Sequence, residues 1–209
     1  DEAIKLREAG IKEDILMMSS TAIEQELEDM VTNNITITIG STEAKDALIK
    51  IIKRINKNPK VHIKIDTGFG RYGYLYTDTE KIIKDIKELQ KFVTIEGIFS
   101  HFSTSFYKES WTSLQYNRFT EIIKILEENK INIPIRHISN SSAFIRFPQM
   151  NLNAVRIGSA FLGRVAVANK LGLKKIGYLE SEISEIKALP KGWNIGYSNT
   201  YKTRKETKV

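Results

Sequence analysis

Three short segments gather side chains able to bind anions and move protons. The first is Lys64-Ile-Asp-Thr-Gly-Phe-Gly-Arg71-Tyr-Gly73. Glycines at 68, 70 and 73 permit positive φ or close approach of a ligand, and Arg71 offers a planar fork suited to a carboxylate. On residue types alone, a glycine-rich loop with a solvated arginine is an equal reading. The second segment is Gly97-Ile-Phe-Ser-His101, an apolar run ending in a polar cluster, where a hydrogen-bonded structural histidine competes with a proton carrier. The third is Arg136-His137-Ile-Ser-Asn140-Ser141-Ser142, followed by Arg156-Ile-Gly158-Ser159. Hydroxyls and backbone N–H groups at a helix start make an anion site, so Asn140-Ser141 and Gly158-Ser159 together could hold a phosphate. Either pair alone reads as ordinary capping.

These segments need rigid elements to position them, and the hydrophobic pattern supplies candidates. Apolar, β-branched runs fall at Ile15 to Met18, Ile35 to Ile39, Val61 to Ile65, Ile95 to Phe99, Ile135 to Ile138 and Ala154 to Ile157. Between them, Thr21 to Val31, Thr42 to Asn56, Thr79 to Lys91 and Ser113 to Lys130 have helical spacing. Capping residues open several: Ser20 or Thr21 with Glu24, Ser41 or Thr42, and Asp78 or Thr79. Each chemical segment therefore sits at the C-terminal end of a predicted strand. That is the active edge of a (β/α)₈ barrel, and of a doubly wound sheet also. The alternation alone does not choose between them.

The rhythm stops near Gly172, short of the about 250 residues typical of a complete barrel. From Tyr178 to Ala188 apolar and polar residues alternate as in an antiparallel strand. The reading is a barrel-type α/β domain over residues 1–172 and the beginning of a C-terminal β-rich domain over 173–209. Ile4 to Gly10 resembles the end of a helix closed by a glycine, so a preceding strand is expected.

Taken together and in this order, the three segments resemble the alanine racemases, fold-type III pyridoxal phosphate (PLP) amino-acid racemases, over about Asp1 to Tyr201. The resemblance implies a (β/α)₈ TIM-type barrel, incomplete here, PLP as cofactor and a small amino acid as substrate. It implies that Lys64 corresponds to the lysine carbamylated in many members, whose new carboxylate orients Arg71 toward the substrate carboxylate. By the same resemblance Arg156 faces the cofactor ring nitrogen, with His137 and His101 bonded behind it. Ser141, Gly158 and Ser159 surround the cofactor phosphate, with Asn140 beside them. Tyr197, in Gly196-Tyr197-Ser-Asn-Thr-Tyr201, matches the acid/base tyrosine that reaches the partner subunit's site, which implies a homodimer. Without that resemblance, Tyr197 reads as a turn tyrosine packed on the β domain. The opposite base and Schiff-base partner is a lysine in an Ala-Asn-Ala-Tyr-Gly-like setting. No segment of this sequence resembles it, so the chain alone is expected neither to close a Schiff base nor to racemise. The implied role of the family is L-/D-alanine interconversion supplying peptidoglycan.

Competing readings are a serine or broad-specificity racemase of the same family, a non-catalytic PLP-binding barrel, and a truncated interaction module. Arg156 argues against the related decarboxylases, which place an acidic residue there. The segment after Tyr178 and the Tyr197 motif disfavour a single-domain PLP-binding protein. Among 209 residues there is no cysteine, which excludes disulfide and thiolate chemistry and suits the cytoplasm. No metal ligand set is expected, and no apolar run approaches the about 18 residues of a membrane span. The net charge of +7 is scattered along helix faces such as Lys81-Ile-Ile-Lys84, which disfavours nucleic-acid binding.

Overall fold

The computed structural model describes residues 1–209 and divides into two units, Asp1–Lys174 and Lys175–Val209. In the first, α1 (Glu2–Glu8) precedes β1 (Leu16–Ser20), α2 (Glu24–Thr32), β2 (Thr36–Ile39), α3 (Thr42–Ile55) and β3 (Lys60–Asp66). Next come β4 (Tyr74–Leu75), α4 (Thr79–Leu89), β5 (Thr94–Phe99), α5 (Glu109–Glu128), β6 (Ile135–His137) and α6 (Ser141–Arg146).

Strand order settles what the alternation left open. The 6-stranded sheet runs β1-β2-β3-β5-β6, every neighbour parallel, with β4 pairing only β3. A doubly wound sheet reverses direction at a switch point. Here each helix carries the chain one strand further in the same direction, which makes the unit an arc of a TIM-type barrel. Alternation along β3 divides its side chains between two layers. Val61, Ile63 and Ile65 join the apolar core with Leu48, Ile52, Ile82 and Ile86 of α3 and α4. His62, Lys64 and Asp66 alternate with them and are buried too, on the other face of the strand. No helix is long and apolar enough to cross a membrane.

Element ends follow local chemistry. Ser41 accepts from the Ala44 N–H at 3.2 Å and caps α3. The expected helix from Thr21 starts instead at Glu24, because Thr21 Oγ1 takes the Ile23 N–H in a local turn. Helix α5 starts four residues earlier than Ser113, at Glu109, with Thr112 N–H and Oγ1 both bonded to the Lys108 carbonyl. The strand expected over Ala154 to Ile157 is a single bridge between Ala154 and His137. Asn153 takes the ladder's place just before it: its Oδ1 accepts from Arg136 N–H and its Nδ2 donates to Pro134 O.

In the second unit, β7 (Ala188–Leu189) pairs antiparallel with β10 (Thr207–Lys208), and β8 (Asn194–Ile195) with β9 (Tyr201–Lys202). The strand expected from Tyr178 to Ala188 is not formed before Ala188. A strand requires a partner ladder, and backbone pairing extends upstream only to Lys187, which exchanges both bonds with Val209. Leu179, Ile183 and Ile186, the apolar half of the alternation, are exposed.

Candidate active site

Register across the sheet builds the site. Lys64 pairs with Phe99 and Phe99 with His137, while Ala154 bridges His137 and leads to Arg156 two residues on. One row of the barrel wall thus carries Lys64, Phe99 and His137 side by side. Phe99 lies parallel to the His137 ring at 4.8 Å, with the Arg156 guanidinium over it at 5.2 Å and Lys64 Nζ at 5.5 Å.

Arg156 is the hub. Its Nη1 donates to His137 Nδ1 at 2.5 Å. Its Nη2 reaches Ser100 O at 2.8 Å, His101 Nδ1 at 3.1 Å and Ile138 O at 3.2 Å. Its Nε is buried without a partner. Burial lowers the guanidinium to about 10, so it remains a cation at neutral pH. Burial, and then the Arg156 charge, push His101 down to about 3 and His137 to about 2, so both rings are neutral.

Beside this hub lies a cavity of about 480 Å³ lined by His101, Asn140, Ser141, Arg156, Gly158 and Ser159. Ser141 Oγ accepts from Gly158 N–H at 3.1 Å and Ala160 N–H at 3.2 Å, which joins the two polar segments into one wall. Asn140 lines the cavity, but its side chain is committed elsewhere. Its Oδ1 caps α6 through Ala143 N–H and accepts from Ser105 Oγ, and its Nδ2 donates to Phe102 O.

Lys64 is 2 % exposed. It donates to Ile65 O at 2.8 Å and sits over Tyr72 at 5.6 Å. Burial, against the opposing pull of Asp66, brings its ammonium down to about 8. Arg71 occupies the exposed loop after β3, with the rings of Phe69 at 4.5 Å and Tyr72 at 4.9 Å from its guanidinium carbon. Asp66, which the motif reading passed over, builds that loop. Its carboxylate accepts the backbone N–H groups of Gly68, Phe69, Gly70 and Arg71. Burial alone would raise its pKa, yet the Gly68, Gly70 and Phe69 bonds hold it below the ordinary value. Gly68 and Gly70 take positive φ to aim those groups inward.

Tyr197 belongs to the second unit, at the tip of the β8–β9 hairpin, after Gly196 with φ 73° and before Ser198 with φ 60°. At 98 % exposure it does not pack on its own unit, contrary to the turn-tyrosine reading. Sequence reasoning also missed His62, whose Nδ1 lies 2.9 Å from His137 Nε2. Its position two residues before Lys64, on the same strand face, was the available signal.

The sequence profile described as "Alanine racemase, N-terminal domain" matches residues 1–165. The chain is 36% identical over its full length to an alanine racemase of Methanococcus maripaludis, covering 57% of that protein. It is 38% identical over 99% of its length to one of Clostridium tetani, covering 54% of it. Among solved structures, alanine racemase of Clostridium difficile matches with a TM-score of 0.78 at 32% identity, over 99% of this chain and 55% of that one. The chain therefore spans about half the length of the relatives it matches. On this profile match and these identities, the chain belongs to the alanine racemase family, whose members depend on pyridoxal phosphate.

Proposed function

We propose that this chain forms the cofactor-holding and substrate-orienting part of a racemase that interconverts L- and D-alanine and supplies D-alanine for the cell wall. The observation that carries the reading is the orphaned Arg156 Nε–H, buried beside a cavity walled with hydroxyls and backbone N–H groups. A buried donor without an acceptor costs about 1–3 kcal/mol. The lone pair of an unprotonated pyridine nitrogen would satisfy it, and the Ser141 and Ser159 hydroxyls have the donor chemistry a phosphate requires, with Gly158 N–H holding Ser141 in that wall. These residues fit pyridoxal phosphate.

When bound, that cofactor supplies an electron-withdrawing ring that stabilises charge left at the substrate α-carbon. Arg156 tempers that withdrawal. A guanidinium is donor-only and cationic, so it keeps its ring-nitrogen partner unprotonated. With Arg156 as its partner the ring would stabilise that charge only weakly, which would favour return of a proton to the α-carbon over competing bond cleavage. Arg71, on its Asp66-anchored loop, offers a fork to the substrate carboxylate.

Lys64 near pKa 8 carries a substantial neutral fraction, which can add to CO₂: one N–C bond forms, one proton leaves, and a carbamate anion results. That anion would orient Arg71. Racemisation requires acid/base groups on both faces of the α-carbon. Tyr197, displayed on a hairpin tip, suits delivery to a partner subunit's site, and a homodimer follows from that reading. The opposite group is the lysine that no segment of these 209 residues resembles.

Because the chain spans about half its relatives' length, the test uses the gene's complete product. Purified with pyridoxal phosphate, it should convert either alanine enantiomer to the racemate, followed by optical rotation. Turnover of serine with none of alanine would move the assignment to the serine racemases, and absence of both would overturn it.

A further inference from the structure

The chain has 3 histidines, and each either touches Arg156 or touches a histidine that does. An arginine presents five N–H donors and no acceptor. A ring nitrogen facing it must therefore offer a lone pair. Nη1 faces His137 Nδ1 and Nη2 faces His101 Nδ1, so both rings carry their proton on Nε2. His137 Nε2–H then points at His62 Nδ1, 2.9 Å away, which must accept and so places the His62 proton on Nε2 also.

That last N–H looks toward Glu96. His62 Nε2 lies 3.6 Å from Glu96 Oε2, an electrostatic contact longer than an ordinary hydrogen bond. The other carboxylate oxygen meets Lys60 Nζ at 2.9 Å, and Lys60 also meets Asp14 at 2.9 Å. The sheet is built for this approach. Register runs from Val61 with Ile95 directly to His62 with Gly97, so Glu96 is skipped as a bulge, a device that re-aims a side chain. Gly97, next along, leaves open the space that the His62 ring fills.

We propose that Arg156 imposes one proton order on all of the histidines, running Arg156 to His137 to His62 toward Glu96, and that His62 is a positioning residue holding His137 Nδ1 on Arg156. The inference concerns the cofactor-free chain and does not depend on the racemase reading. His62 supplies the only acceptor found for His137 Nε2–H, and without it a half-turn of the His137 ring would cost little on that side. Phe99, stacked on His137 and edge-on to His62, fixes the ring planes but not which nitrogen faces which way.

The test is long-range ¹H–¹⁵N NMR of the gene's complete product, free of cofactor and labelled with ¹⁵N-histidine, at neutral pH, with His62, His101 and His137 assigned by single substitution. Each of these histidines should show an unprotonated Nδ1 and a protonated Nε2. A protonated Nδ1 on any of them, a doubly protonated ring, or resonances averaged between tautomers would overturn the proton order. Two variants then address His62. In His62→Leu, His137 should move toward averaged tautomers, and in His62→Asn, whose amide oxygen can accept in place of Nδ1, it should return to the wild-type pattern. Unchanged His137 resonances in His62→Leu, with a preserved backbone amide fingerprint, would overturn the positioning role. If His62→Leu fails to fold, the wild-type and His62→Asn spectra still decide, because loss of the His137 pattern in a folded His62→Asn chain counts against it.

Discussion

Gly97 and His62 occupy paired positions on neighbouring strands, and a Cβ added to Gly97 would lie 2.3 Å from His62 Cε1. No real Cβ approaches so closely, and the ring is buried with His137 and Phe99 around it. Gly97→Ala should therefore overpack the barrel interior and cost about 1–3 kcal/mol. The urea midpoint should fall with an unchanged m-value. An unaltered midpoint would show that the ring has room to retreat.

Asp66 ties the Arg71 loop to the end of β3 through consecutive backbone donors. Asp66→Ala removes the acceptor of these part-buried bonds to a charged group, a loss of about 1–3 kcal/mol. The effect should be local. Amide exchange at Gly68 to Arg71 should accelerate by orders of magnitude while exchange at Val61 and Ile63 changes little. On the proposed function, the variant of the gene's complete product should raise KM more than it lowers kcat, since Arg71 would lose its place. Equal protection of the loop in both proteins would contradict the anchoring role.

Much of this arrangement was legible in the chain, and the failures share a cause. The strands at Ile35 to Ile39, Val61 to Ile65 and Ile95 to Phe99 declared themselves because each is a short β-branched run bounded by turn residues. Their order in the sheet did not, since alternating strands and helices suit either winding, and only the pairing of β3 with β5 and β5 with β6 decides. Ala154 to Ile157 and Tyr178 to Ala188 had the right local pattern, but a strand exists only with a partner, which local pattern does not reveal. His62, Glu96 and Gly97 form one feature across two strands, invisible to a reading along either. Asp66 was within reach: an aspartate two residues before Gly-x-Gly is an Asx-type anchor for a loop.

His101 and His137 remain neutral in the folded chain down to about 3 and about 2, because burial and the Arg156 charge oppose protonation. In the unfolded chain they titrate near about 6.5. Between those limits the unfolded state binds more protons, so stability rises with pH there. Their contribution is complete above about 6.5 and is lost as pH falls toward 3 and then 2. Urea midpoints should decline steadily below pH 6.5, and in His137→Gln the slope between pH 6 and pH 4.5 should be shallower. The same slope in the variant would mean that other groups drive the acid transition.

Lys64 offers the sharpest test of the site's chemistry because its folded value, about 8, lies below the ordinary lysine value of 10.5. The sign is that of a buried cation: between about 8 and 10.5 the unfolded chain holds a proton that the folded one has released, so stability gains as pH rises through that window. Near pH 8 about half of the folded molecules carry a neutral amine, the form that adds to CO₂. Incubation with ¹³C-bicarbonate at that pH should give a carbamate carbonyl resonance that disappears in Lys64→Ala and weakens on acidification below pH 7, where the amine is protonated. Other lysines provide the internal control, since they are exposed to the same bicarbonate. A resonance that survives in Lys64→Ala would assign the carbamate elsewhere. Its absence at every pH would leave Arg71 to be oriented by Phe69, Tyr72 and the Asp66-anchored backbone alone.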